Sequence, residues 1–230
     1  VLLDRGGQLG VDGRQDVLPS GTKFAAWYEV LHDAAAAGVR QPRWIRHALP
    51  DALIAHGIGC GDINGDGHND LVNPRGWAEA PADPRTGSWR WHGEFTLHRD
   101  CGLPILVVDV DRDGDSDLVW GRGHDTGLYW TEQDSDAEGN RLWVRHAIDT
   151  SWSQAHSIML ADIDGDGCQD LVAGKRYLGH DGKDPGEYDT LVIYWYRFCP
   201  ESKTWSRHLV SWGDDCGFDL DPKCADVDGD

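Results

Sequence analysis

Val108-Asp109-Val110-Asp111-Arg112-Asp113-Gly114-Asp115-Ser116-Asp117-Leu118-Val119 is the stretch on which the reading of the fold turns. It recurs as Gly61-Asp62-Ile63-Asn64-Gly65-Asp66-Gly67-His68-Asn69-Asp70-Leu71-Val72 and as Ala161-Asp162-Ile163-Asp164-Gly165-Asp166-Gly167-Cys168-Gln169-Asp170-Leu171-Val172. A fourth copy opens at Ala225-Asp226-Val227-Asp228-Gly229-Asp230, where the sequence stops. The repeats start near 62, 109, 162 and 226, so they are spaced by 47, 53 and 64 residues.

Two further markers keep step with the loop. One is an aromatic strand: Trp27-Tyr28, Trp89-Arg90-Trp91, Tyr129-Trp130 and Tyr194-Trp195-Tyr196. The other is an aromatic followed three residues later by histidine, ending on His47, His98, His146 and His208. Each unit then reads as an Asp loop, a Leu-Val strand, a Tyr-Trp strand, a Trp-x-Arg-His strand, and an apolar strand into the next loop. Four short strands per roughly fifty residues are the signature of a propeller blade. The expected fold is all-β, a partial β-propeller with three complete blades and two partial ones. The expected domain is a single one over 1–230. The segment His32–Arg40 reads as an insertion between two strands.

Composition agrees. Of 40 acids, 33 are Asp and 7 are Glu, and there are 29 Gly and 12 Trp. Asp competes with its own backbone and favours turns over helices, while Trp favours strands. Fifteen of the acids lie in the four loops, and without them the net charge of −19 falls to −4. The charge therefore belongs to local sites that call for cations. A chain this acidic does not suit nucleic acid, and no apolar run is long enough to insert in a membrane. No basic region followed by an apolar run opens the sequence, so no signal peptide is visible, and both ends read as cut. The six cysteines form no CxxC pair. Cys60 and Cys224 read as buried strand residues, and a Cys216–Cys224 bridge stays open.

The loop pattern is D-x-[DN]-x-D-G-x-x-D. Side chains at positions 1, 3 and 5 converge as the chain curls, Gly at position 6 permits the turn, and Asp at position 9 closes the shell. Position 7 (His68, Asp115, Cys168) is expected to offer its backbone carbonyl. Such hard, numerous oxygen ligands suit Ca²⁺. An EF-hand is excluded because position 12 is Asn73, Trp120 or Ala173 and a strand follows, not a helix.

At these residues the chain resembles the FG-GAP/VCBS repeat family, the propeller repeats also found in integrin α-subunit heads. The resemblance implies one structural Ca²⁺ per loop. Its ligands would be Asp62, Asn64, Asp66 and Asp70, then Asp109, Asp111, Asp113 and Asp117, then Asp162, Asp164, Asp166 and Asp170. Asp226, Asp228 and Asp230 would begin a fourth site. It also implies a secreted or cell-surface module that recognises a glycan or a protein without catalysis, packed against the remaining blades of its own chain. The alternative is the propeller scaffold of a carbohydrate-active lyase or sugar dehydratase. Trp77, Trp152 and Trp212 are candidates to stack on sugar rings.

Some residues stand outside the repeat consensus. His56 and His156 each lie six residues before a loop, and Lys175-Arg176-Tyr177 with His180 follow the third Leu-Val strand. His156, Lys175, Arg176, Tyr177 and His180 are the candidate catalytic set. Cations would hold the carboxylate of an acidic sugar, and His or Tyr would move the proton next to it. Solvated rim residues are the competing reading.

Overall fold

The computed structural model describes residues 15–32 and 42–228. The expected insertion after His32 therefore falls outside the described residues apart from His32 itself. The chain divides into two compact units, residues 1–99 and 100–230.

In the first unit, β1 (Ala26–His32) pairs antiparallel with β2 (Pro42–Ala48). A four-stranded meander follows: β3 (Gly59–Gly61), β4 (Asp70–Asn73), β5 (Gly76–Glu79) and β6 (Arg90–His92). The second unit holds two more. One is β7 (Leu106–Val108), β8 (Asp117–Gly121), β9 (Thr126–Ser135) and β10 (Arg141–Ser153). The other is β11 (Ile158–Ala161), β12 (Asp170–Gly174), β13 (Val192–Cys199) and β14 (Thr204–Trp212). In each meander neighbours in sequence are neighbours in the sheet, as short turns require of antiparallel strands. The chain is thus all-β, with three four-stranded sheets and one two-stranded sheet among the described residues.

Burial follows the sequence pattern strand by strand. The Leu-Val strands β4, β8 and β12 are buried along their whole length, as central strands covered on both faces are. The outer strands β2, β10 and β14 alternate towards solvent.

A four-part contact recurs on the two outer strands. Trp27 faces His47 across the ladder and stacks on it at 4.1 Å, and Trp77 does the same with His92 at 4.1 Å. Trp130 stacks on His146 at 4.6 Å and Trp195 on His208 at 4.0 Å. Two residues after the Trp, a glutamate reaches the same imidazole: Glu29–His47 at 3.0 Å, Glu79–His92 and Glu132–His146 at 2.7 Å. The preceding arginines of the Arg-His pairs cover other rings, Arg46 over Phe24, Arg145 over Trp120 and Arg207 over Tyr194.

This pattern corrects the alignment of the first Asp-loop repeat. Its third strand is Gly76–Glu79, carrying Trp77, and its histidine is His92, not His98. The connection from 80 to 89 displaced the aromatic signal. That loop is anchored by Arg85, whose Nε and Nη2 donate to Glu29 Oε1 at 2.9 and 2.7 Å. The Arg85 guanidinium holds the Glu29 carboxyl below the usual range, against its burial. Trp77 and Trp152 are 1% and 8% exposed, so they are packing residues and not sugar platforms; Trp212 is exposed. Cys60 lies in β3, its thiol pushed up to about 12 by burial, whereas Cys224 is exposed and in no strand. All six cysteines are free thiols.

In the second unit, Trp130, Leu171, Ala173, Tyr194 and Tyr196 belong to one core between the two meanders. A polar thread crosses it. Trp152 Nε1 donates to the Tyr196 hydroxyl at 2.9 Å, that hydroxyl donates to Asp149 Oδ2 at 2.9 Å, and Arg207 Nη1 reaches the same oxygen at 3.0 Å. Tyr196→Phe strands a buried indole N–H. We expect a loss of about 1–3 kcal/mol, read as a lower denaturation midpoint with unchanged m. An unchanged midpoint would show that the thread carries no net stability.

Candidate functional site

Each Asp loop joins the first strand of a meander to its second. The position-1 aspartate builds the turn. Asp62 accepts the N–H groups of Gly65, Asp66 and Gly67 at 2.7, 3.1 and 2.8 Å. Asp162 does the same with Gly165, Asp166 and Gly167 at 2.9, 3.1 and 3.0 Å. In the second loop Gly114 N donates to Asp109 at 3.2 Å. The position-6 glycines Gly67, Gly114 and Gly167 have φ of 85°, 102° and 83°, which side chains rarely adopt. The amides of His68, Asp115 and Cys168 donate to the position-5 carboxylates at 2.8, 3.1 and 2.8 Å. One carboxylate oxygen each from Asp109, Asp111 and Asp113 lie within 4.8 Å of one another, and so do those of Asp162, Asp164 and Asp170. Asp226 and Asp228 are exposed and lie in no strand, and Asp230 is outside the described residues.

The position-9 aspartates carry a second task. Asp70, Asp117 and Asp170 are 0%, 0% and 2% exposed. Asp70 accepts Ile63 N at 3.0 Å and Ala80 N at 2.8 Å. Asp117 accepts Val110 N at 3.1 Å and Gln133 N at 2.8 Å. Asp170 accepts Ile163 N at 3.1 Å. In the first two loops one carboxylate thus ties the loop to the third strand or its end. Burial outweighs these bonds and pushes Asp70 up to about 6 and Asp117 to about 7; it raises Asp170 as well. Asp115 is raised to about 6, first by burial and then by Asp113 beside it.

Two loops of the second unit meet basic side chains. Arg197 donates to Asp164 at 3.1 Å and to Asp166 at 2.8 Å. Lys203 reaches Asp111 at 2.8 Å and also bonds Glu132. Arg197 occupies the place that Glu29, Glu79 and Glu132 hold beside the other histidines. The last meander has exchanged the histidine's glutamate for a cation aimed at its own loop.

The predicted catalytic set lies at the other end of the sheets. Strand β12 leaves the Asp loop and ends at Gly174, so Lys175 and Arg176 sit at the end where β11 begins, next to His156. Lys175 is 0% exposed, its Nζ donates to Ser153 Oγ at 3.2 Å, and burial lowers its ammonium below the usual range. Gln154 is also fully buried, with φ of 62° and neither side-chain amide atom hydrogen-bonded. The Arg176 guanidinium lies 3.3 Å from both His124 Nδ1 and Asp184 Oδ2. The His124 ring meets that of His156 edge-on at 5.3 Å and stacks on that of His180 at 4.5 Å. Tyr177 is 59% exposed. His56 is half-buried in the first unit.

The sequence reading left His124 and Asp184 out of the candidate set, although both stand in the stretches that depart from the repeat, and it missed Glu187. Burial works to raise the Asp184 carboxyl, but hydrogen bonds from His180 and His124 outweigh it and leave it lowered. Glu187 accepts the backbone N–H of His180 and that of Asp184, the latter at 3.4 Å, and so pins the turn between them. The sequence carried one signal: His124 follows the second strand of its repeat as His180 follows that of the next.

Residues 109–173 match the model of the FG-GAP-like repeat family, which covers the second Asp loop, its three following strands and the third loop. No curated protein matches the chain.

Buried carboxyls with raised pKa values set a pH dependence. Between about pH 4 and pH 7 the folded, metal-free chain binds more protons at Asp70 and Asp117 than the unfolded chain does, so its stability falls as pH rises through that window. Thermal melts of EDTA-treated protein at pH 5 and pH 7.5 should show the lower Tm at pH 7.5. Asp117→Asn should flatten the difference.

Proposed function

We propose that this chain is a calcium-stabilised module of β-propeller type, each Asp loop holding one Ca²⁺. The convergence of the loop carboxylates carries the reading: charges this close in one turn repel unless a cation joins them. Asp62, Asn64, Asp66 and Asp70 would hold the first ion. Asp109, Asp111, Asp113 and Asp117 would hold the second, and Asp162, Asp164, Asp166 and Asp170 the third. Asp226, Asp228 and Asp230 would contribute to a fourth. The carbonyls of His68, Asp115 and Cys168 would complete the shells. The donor set fits the ion, being all oxygen and flexible. The ion would neutralise the loop and fix the register of the strands on either side. Millimolar calcium would keep such sites filled outside the cell, which favours a secreted or surface location.

The module's work is then recognition of a glycan or protein ligand at the end of the sheets away from the loops. The lyase or dehydratase reading draws support from one observation, the fully buried Lys175, whose ammonium burial holds below its usual range. A scan of uronic-acid polymers for the ultraviolet absorbance of an unsaturated product, with His156→Ala as control, separates the two.

Saturating calcium at about a hundred times its Kd adds about 2.7 kcal/mol per site, which for a chain of this size raises Tm by roughly 5–10 °C. EDTA should reverse the rise. A Tm indifferent to both would remove the calcium reading. Arg197→Gln should tighten calcium binding at the third loop, because the guanidinium competes for Asp164 and Asp166. Calorimetric titration of the wild type and the variant measures the difference.

A further inference from the structure

His124, His180 and Asp184 lie in successive strand-to-strand connections, the first between β8 and β9, the other two between β12 and β13. Their donor atoms meet. His124 Nδ1 is 3.1 Å from Asp184 Oδ2, and His180 Nδ1 is 3.1 Å from Asp184 Oδ1 and 3.0 Å from Oδ2. One atom from each side chain lies within 4.8 Å of the others. The rings are parallel to within 5°.

We propose that these three residues form a second kind of metal site, for a divalent transition ion of the Zn²⁺ class, unlike the all-oxygen loops. Mixed imidazole and carboxylate donors select such ions over Ca²⁺. A tetrahedral ion with bonds of about 2.0–2.1 Å holds its ligand atoms about 3.3 Å apart. The two imidazole–carboxylate pairs, at 3.0–3.1 Å, need to spread by only a few tenths of an ångström, while the stacked rings, whose nitrogens lie within 4.8 Å of each other, must turn out of parallel for both lone pairs to meet one ion. The protonation pattern points the same way. His124 Nδ1 faces a carboxylate oxygen at 3.1 Å and the Arg176 guanidinium at 3.3 Å. As an N–H it points a proton at a cation, and as a lone pair it meets the carboxylate. An ion between the imidazoles and the carboxylate uses the lone pairs on all sides.

The surroundings suit such an ion. Asp184 and His124 are 13% and 14% exposed at their side chains, while His180 is 50% exposed and leaves a way in. Glu187 holds the His180–Asp184 turn before any ion arrives. Gly179 lets Arg176 close on the group, since a Cβ there would strike the guanidinium. Three protein ligands leave the fourth position open to water or an anion. Arg176 lies 3.3 Å from both His124 Nδ1 and Asp184 Oδ2 and competes for them, so the ion must displace its guanidinium from these atoms. Beside the open position its charge would favour a carboxylate or another oxyanion.

Cobalt(II) reports the site by its visible absorption, which is strong for few nitrogen-rich ligands and weak for octahedral oxygen. The protein is stripped with EDTA, its exposed thiols Cys216 and Cys224 are alkylated, and calcium is added in excess. Cobalt is then titrated in. One equivalent should raise a strong visible band that Zn²⁺ displaces and further Ca²⁺ does not. His180→Ala, a half-exposed position that leaves the fold intact, should abolish the band or weaken binding at least about tenfold, as losing even an outer-shell partner does. Calcium-dependent melting of the variant checks its fold. No band in the wild type, or a band that survives His180→Ala, overturns the proposal. A chain that ignores calcium but keeps the cobalt band would lose the loop reading and keep this one.

Discussion

A buried carboxylate opens the central strand of every complete repeat, and the rest of the unit is arranged around it. Asp70, Asp117 and Asp170 sit where the loop becomes a strand, in the place that Leu-Val neighbours make most apolar. A charged group there is costly unless hydrogen bonds or a cation meet it. The bonds come from position 2 of the loop and, in the first two repeats, from the third strand or the residue just past its end. The loop, the central strand and the third strand are therefore held by one side chain. Burial outweighs these bonds and raises the carboxyl above its usual range.

The outer half of each sheet rests on a different contact, the Trp–His stack with its glutamate. Stacking places a flat, polarisable ring on the indole and keeps the imidazole edge available to a carboxylate. The last meander departs from the rule. Arg197 stands where the glutamate belongs, and its charge goes to Asp164 and Asp166 instead. One substitution thus moves a residue's work from the outer strand to the loop. Three loops that look alike as sequence are consequently unequal: the third meets a guanidinium fork, the second a lysine from the next meander.

The two ends of the sheets divide the chemistry. The loop end repeats and is acidic. The other end varies from repeat to repeat and gathers His124, His156, Lys175, Arg176, His180 and Asp184. Repetition belongs to what holds the sheets, while the connections that vary are free to build a site.

Much of this was legible in the residues. The period, the strand count and the convergence of the loop aspartates follow from spacing alone, because strand and turn formation are local. The Trp-x-Glu pattern and its histidine were only half legible. In the first Asp-loop repeat the long connection from 80 to 89 hid Trp77 behind Trp89 and Trp91, and only the ladder pairing of Trp77 with His92 restores the register. Burial of Trp77 and Trp152 depends on what packs over them, which composition does not reveal. The meeting of His124 with Asp184, sixty residues apart, is of the same kind. By itself the sequence determined the repeat, its strands and the loops, since these are set by neighbours along the chain. Only the tertiary structure decided which side chains meet at the far end of the sheets, because that depends on how one repeat packs against the next.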